Sequence, residues 1–320
     1  MNLQRHVPVA MLLALALASA AERKLELRGR IDPPPHKAVV TIQGVKTPFT
    51  ATTLSDSSGR FRFGQLPPGA YTIVVFASGQ GEVRQTVEVS PSFSDAKGRV
   101  EVTISLGTPS SGPSELLQRQ SKVSVQELAI PDQAWDAYAE AMKKLGQHDV
   151  EGAIRSLQRA VERAPQFSAA WNHLGTIAYQ SGKFQEAEKY FREALKYEPG
   201  SFAPLVNLGG ALTSQGKFTE ALEYNQRAVR DRPDDALANS QLGANYFYLG
   251  DHEKALGYLQ AAKRLDPSHF SRPQVLLAEI YLRRLDRPNA IRELEDFLAR
   301  HPDAPNAAKV RELVDTLKKP

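Results

Sequence analysis

The chain has 320 residues, with 40 Lys+Arg against 36 Asp+Glu, 42% hydrophobic residues and no Cys. That length accommodates about two domains, and 24% charged residues reads as globular rather than disordered. The missing Cys excludes a disulfide framework, a thiolate zinc site, a cysteine nucleophile and a lipidated N-terminal Cys.

The net charge of +4 is unevenly placed. Residues 21–110 hold 11 basic and 8 acidic side chains, while residues 111–320 hold 28 of each. A nucleic-acid binder needs a stripe of cations to release counterions from phosphates, and the chain has no run of five like charges. No nucleic-acid partner is expected.

Arg5 and His6 precede an apolar run from Val7 to Leu17, then Ala18-Ser19-Ala20. A positive start, a short apolar stretch and a small-residue cleavage site predict a signal peptide over residues 1–21. The expected location is the periplasm or the exterior. The run is shorter than the about 20 residues of a comfortable membrane span, so an uncleaved anchor is the second reading.

Residues 22–107 read with period two. The strand runs are Val39–Ile42, Arg60–Phe63, Tyr71–Phe76, Glu82–Val89 and Arg99–Ile104. Tyr71–Phe76 is apolar enough to be buried on both faces. Turn chemistry separates the runs, as in Ser55-Asp56-Ser57-Ser58-Gly59 and Asp95-Ala96-Lys97-Gly98. Short strands without helical periodicity predict a β-sandwich. Asp56-x-x-Gly59-x-Phe61-x-Phe63, followed by Leu66-Pro67-Pro68-Gly69-x-Tyr71, resembles the carboxypeptidase regulatory-like domain. The resemblance implies a prealbumin-like sandwich of about seven strands, an accessory rather than a catalytic part. It departs from the family at Asp32-Pro33-Pro34-Pro35-His36, where a Gly between prolines is usual. A carbohydrate-binding envelope protein acting through this sandwich is the alternative function. A sugar site needs an aromatic platform, and Phe49, Phe76 and Phe93, the aromatics outside the motifs, read as core or strand-end packing.

Thr108-Pro109-Ser110-Ser111-Gly112-Pro113-Ser114 is a linker, with an extended segment following to residue 133. It carries few groups that could pack, so the two halves are expected to fold independently. From residue 134 the sequence repeats. Pro165, Pro199, Pro233 and Pro267 recur every 34 residues, with Pro302 35 later. Ala153, Ala187, Ala221, Ala255 and Ala290 lie twelve before each Pro, and Ala160, Ala194, Ala228 and Ala262 five before, where the last repeat has Phe297. With Trp171-Asn172-His173-Leu174-Gly175, Leu208-Gly209 and Leu242-Gly243, this resembles the tetratricopeptide repeat, a helix–turn–helix unit. The resemblance implies an all-α right-handed superhelix behind the sandwich. Its units are 134–167, 168–201, 202–235, 236–269 and 271–304, with a capping helix over 305–320. Gly146, Gly182, Gly216 and Gly250 are read as the turn between helices, with Arg283-Arg284 in place of Gly in the last unit. Ala308, Val310, Leu313, Val314 and Leu317 are the apolar side chains expected to face inward in the cap.

Nothing in the pattern carries chemistry. The His residues show no HExxH spacing, and Gly182-Lys183-Phe184 lacks the upstream Gly and the Ser/Thr of a phosphate loop. No enzyme activity, metal or cofactor is expected. The resemblance implies binding of a protein or extended peptide on the first helix of each unit. The positions it assigns there are Tyr138, Asn172, Thr176, Tyr179 and Gln180 in the first two units. Asn207, Ser240, Phe247 and Tyr248 follow in the next two. A carboxylate clamp needs Lys/Arg, whereas its positions hold Tyr138/Met142, Asn172/Thr176, Val206/Gly210 and Ser240/Ala244. Amide hydrogen bonds and aromatic packing against a peptide fit better, with Tyr179 and Tyr248 as the foremost anchors.

Overall fold

A computed structural model describes residues 24–35, 37–77, 81–106 and 129–319. The predicted leader, most of the linker and most of the extended segment after it lie outside these residues. An N-terminal sandwich of seven strands is followed by eleven α-helices among the described residues.

The strands are β1 (Leu25–Asp32), β2 (Ala38–Gly44), β3 (Thr50–Leu54), β4 (Arg60–Leu66), β5 (Gly69–Ala77), β6 (Gly81–Val89) and β7 (Arg99–Ser105). One sheet has the order β4-β1-β7, with β1 antiparallel to β4 and parallel to β7. The other has the antiparallel order β3-β2-β5-β6. Alternation buries Leu27 and Ile31 from β1, Val40 and Ile42 from β2, and Ile73 and Val75 from β5 in one core between the sheets. The expectation that β5 is buried on both faces is corrected. Tyr71, Ile73 and Val75 point inward, while Thr72, Val74 and Phe76 are only partly covered on the outer face.

The Asp-x-x-Gly motif acts as the sequence suggests. Asp56 Oδ1 accepts the amides of Ser58 and Arg60, both at 2.9 Å, and Gly59 takes φ +76°. The device recurs at Asp95, which accepts from Lys97 and Arg99 at 2.8 and 2.9 Å, with Gly98 at φ +74°. Phe61 and Phe63 then enter the core, and the Tyr71 hydroxyl donates to Pro67 O at 2.8 Å.

The helices pair as the 34-residue period requires. They are α1 (Asp132–Gly146) with α2 (Val150–Arg163), α3 (Ser168–Gln180) with α4 (Phe184–Tyr197), and α5 (Phe202–Ser214) with α6 (Phe218–Asp231). Next come α7 (Ala236–Tyr248) with α8 (His252–Leu265), α9 (Pro273–Arg283) with α10 (Arg287–Arg300), and a last helix α11 (Ala307–Lys318). Fully buried Ala153, Ala187, Ala221, Ala255 and Ala290 let paired helices approach closely. A second register forms sockets. A Cβ on Gly175 would lie 2.5 Å from the Phe191 ring, one on Gly209 would lie 2.0 Å from Asn225, and one on Gly243 would lie 2.7 Å from Leu259. Successive units therefore seat Phe, Asn and Leu in the same glycine-floored place.

Two expectations in this half need correction. The left-handed turn residues are His148 (φ +61°), Gly182, Gly216, Gly250 and Leu285 (φ +60°), so His148 and not Gly146 is the first unit's counterpart. In α11, Ala307, Val310 and Val314 are buried, whereas Ala308 and Leu313 face outward. Leu285 is 91% exposed, so its side chain gains no packing for its strained backbone. Leu285→Gly should raise stability by about 0.5–1 kcal/mol, relief of strain outweighing the extra unfolded-state entropy. An unchanged or lower melting temperature contradicts this.

Nor do the halves stand apart. The Phe49 ring stacks on His148 at 4.7 Å, and Gln180 Nε2 donates to Gly44 O at 2.8 Å. The Thr86 amide donates to Asp266 Oδ2 at 2.8 Å, and Ser90 and Ser92 hydroxyls donate to Asp303 at 2.6 and 2.7 Å. The linker sequence does not anticipate these contacts.

Candidate functional site: the first-helix face of the repeats

The first helices of the units, α1, α3, α5, α7 and α9, carry the sequence-assigned positions. Adjacent first helices lie one repeat apart, and several side chains on or just beside them interact laterally. Asn207 Nδ2 donates to Asn172 Oδ1 at 3.0 Å. Tyr179 Oη and Ser214 Oγ lie 3.1 Å apart, and Ser240 Oγ and Ser271 Oγ 2.5 Å apart. The Arg283 guanidinium sits 5.6 Å over the Phe247 ring. The face is a ladder of polar and aromatic rungs, each tying one unit to the next.

Within it the assigned residues divide. Tyr138 packs among Trp135, Phe167 and His173, and burial pushes its hydroxyl pKa up to about 12. Ser240 is buried, and Thr176 returns its hydroxyl to Asn172 O at 2.9 Å. These three serve packing and local backbone satisfaction. The Asn172–Asn207 bond uses one oxygen and one N–H, leaving Asn172 Nδ2 and Asn207 Oδ1 outside that bond. Gln180 is engaged by the sandwich carbonyls of Gly44 and, at 3.3 Å, Val45.

Tyr179 and Tyr248 stand at the C-terminal ends of α3 and α7, on the rim where each first helix turns into its second. Tyr179 is 36% exposed and Tyr248 52%. Each ring rests on the first residue of a second helix: Tyr179 on Phe184 at 5.3 Å, and Tyr248 stacked on Phe218 at 4.9 Å. A rigid apolar backing fixes each ring while leaving much of it open. Phe247, beside Tyr248, is partly buried between that ring and His252.

The residues that join the two halves were missed by sequence reasoning. Asp266 and Asp303 sit at repeat junctions, where acidic side chains read as solvated ends. Asp266 is 4% exposed, and burial raises its pKa against the hydrogen bonds from Thr86 and Ser268. No spacing signal marks either. Among the sandwich aromatics named above, Phe49 is buried, Phe76 partly covered, and Phe93 41% exposed, which corrects the packing reading for Phe93. One open ring is not a platform of several.

Comparison with known proteins agrees with this geometry. A tetratricopeptide repeat profile matches residues 138–204, 174–236 and 206–270, and a carboxypeptidase regulatory-like domain profile matches residues 31–106. The chain carries tetratricopeptide repeats behind a carboxypeptidase regulatory-like domain. No curated protein matches it. Among solved structures, MamA residues 41 to the end from Desulfovibrio magneticus RS-1 is 24% identical over 60% of this chain and 100% of that one, with TM-score 0.47. YrrB, described as a TPR protein with an unusual peptide-binding site, is 22% identical over 59% and 98%, with TM-score 0.47. Pseudomonas aeruginosa PilF is 16% identical over 63% and 88%, with TM-score 0.50. These likenesses concern the fold of the helical repeats alone. Among the described residues no helix is long and apolar enough to cross a membrane.

Proposed function

We propose that the protein is an exported, non-catalytic scaffold whose tetratricopeptide repeats hold an extended protein segment along the first-helix face. Export rests on the residue 1–21 pattern. The observation that carries the binding reading is the pair of rim tyrosines, Tyr179 and Tyr248. Each is substantially open and backed by a second-helix Phe, and the Asn172–Asn207 amide rung and the Tyr179–Ser214 hydroxyl rung lie on the same face. Large amphipathic rings on rigid seats are typical interface anchors. The amides of Asn172 and Asn207 suit the backbone of an extended peptide.

The test begins with co-purification from the native envelope, the captured proteins read by mass spectrometry. Tyr179→Ala and Tyr248→Ala are then compared with the parent for affinity and melting temperature. Loss of a central anchor should weaken binding by about 2 kcal/mol, roughly thirtyfold, at near-native melting temperature. Unchanged affinity in a folded variant, or a large fall in melting temperature, would show that these rings are packing residues.

A further inference from the structure

We propose that the sandwich is a displaceable cover of the Gln180 end of the repeat face, held there by an internal mimic of a bound peptide. The contact points lie at two separate places on the repeats. At the first, Gln180 donates through one amide group to two successive backbone carbonyls, Gly44 at the end of β2 and Val45 just after it. An amide side chain reading consecutive carbonyls is how such a face would hold an extended segment. Next to it, the Phe49 ring lies flat on His148, 15° from parallel, and Gly146 abuts Thr50 O.

At the second place, the edge strand β6 and the turn after it meet the ends of α6, α8 and α10. Arg232 lies 3.8 Å from Glu82, and Asp266 accepts the Thr86 amide. Asp303 accepts from both Ser90 and Ser92. β6 pairs with β5 along one edge only, so Asp266 satisfies an outward amide that the sheet leaves open. The named contacts are polar except for one ring stack. Polar interfaces within a chain permit relative motion, whereas large apolar ones lock it. The cover therefore sits on Gln180, one of the proposed partner contacts, through bonds that water or a competing peptide can replace.

This inference rests on the reading of the first-helix face as a binding surface, but its test needs no partner. The chain has no Cys, so Gln180→Cys supplies a single thiol and removes the Gly44 and Val45 bonds, leaving the second place and the Phe49–His148 stack to hold the cover. Its labelling by a maleimide is timed in the otherwise native full chain, and again with Asp266→Ala, Ser90→Ala and Ser92→Ala added. Release of the cover should speed labelling at least tenfold and hasten hydrogen exchange at the Thr86 amide, with helical circular dichroism unchanged. If the added changes unfold the repeats, Glu82→Ala, Ser90→Ala and Ser92→Ala on the sandwich side replace them. Equal labelling rates in folded variants, or fast Thr86 exchange in the otherwise native chain, would overturn the cover. Failure of Tyr179→Ala to weaken partner binding would instead overturn the binding reading and leave the labelling result standing.

Discussion

Phe191→Ala should destabilise the repeats by about 3–5 kcal/mol, the usual cost of removing a fully buried ring. Phe191 is buried at the joint between the second and third units, with Ala178, Ala187, Leu208, Ala211 and Leu212 in the same cluster. Gly175 forms the floor beneath its ring, 2.5 Å from where a Cβ would stand. Gly175→Ala alone should therefore cost about 1–3 kcal/mol by overpacking. The double variant gives the sharper result. With the ring gone, the methyl added at position 175 occupies part of the vacated space, so the combined loss should fall short of the sum. Thermal or urea unfolding of the three variants decides it. A strictly additive double variant would mean that the Gly175 floor and the ring do not share one socket.

Acid should weaken the repeats well before the carboxylates protonate. Burial holds His173 down to about 4, and burial together with the charge of His301 holds His269 down to about 4. Both rings are neutral in the fold and take up protons more readily when unfolded, where the ordinary value is near 6.5. Their contribution is thus fully present above about pH 6.5 and is lost as pH falls toward 4. Shifts of this size correspond to about 3 kcal/mol for the well-buried His269, and to less, about 2 kcal/mol, for the partly exposed His173. Glu188 acts mostly at lower pH, its contribution being lost as pH falls from about 4.5 toward 2. Burial raises its pKa, but hydrogen bonds from Lys217, Gln215 and Arg192 prevail and hold it down to about 2. Melting temperatures at pH 7 and 4.5 should separate clearly in the parent, and less so in His173→Leu with His269→Gln. A parent that melts alike at both values would refute the assignment.

Much of this architecture was legible because repetition is a statistical signal. The Ala and Pro spacings fix helix pairs, since small residues must recur wherever helices touch closely. The sandwich motif was equally readable, because Asp56 and Gly59 have a backbone reason for their place and Phe61 a place in the core. β3 was missed because Thr50-Ala51-Thr52-Thr53-Leu54 offers no apolar alternation. The His148 turn was missed because only Gly advertises a left-handed backbone, although the 34-residue register points to 148. The joint between the halves was invisible for a different reason. Thr86 and Asp266 are 180 residues apart, and a lone carboxylate accepting a lone amide leaves no periodic trace. For the proposed binding face, sequence assigned positions on the first helices but not which of their side chains are already spoken for by the neighbouring repeat.

Near-identical units face a problem of identity during folding, since any second helix could dock on the wrong neighbour. The socket that seats Phe191 and Leu259 holds Asn225 in the third unit, fully buried. Its amide nitrogen donates at 3.3 Å to Asn245 Oδ1 on α7, and Asn245 Nδ2 donates at 2.8 Å to Phe218 O. One repeat earlier or later, the place of Asn245 is taken by Ala211 or Ile280. A slipped stacking would bury the Asn225 amide against hydrocarbon, at about 1–3 kcal/mol. The pair thus works as a serial number in the middle of the array, penalising skipped or swapped units between chains while adding little to the strength of the correct one.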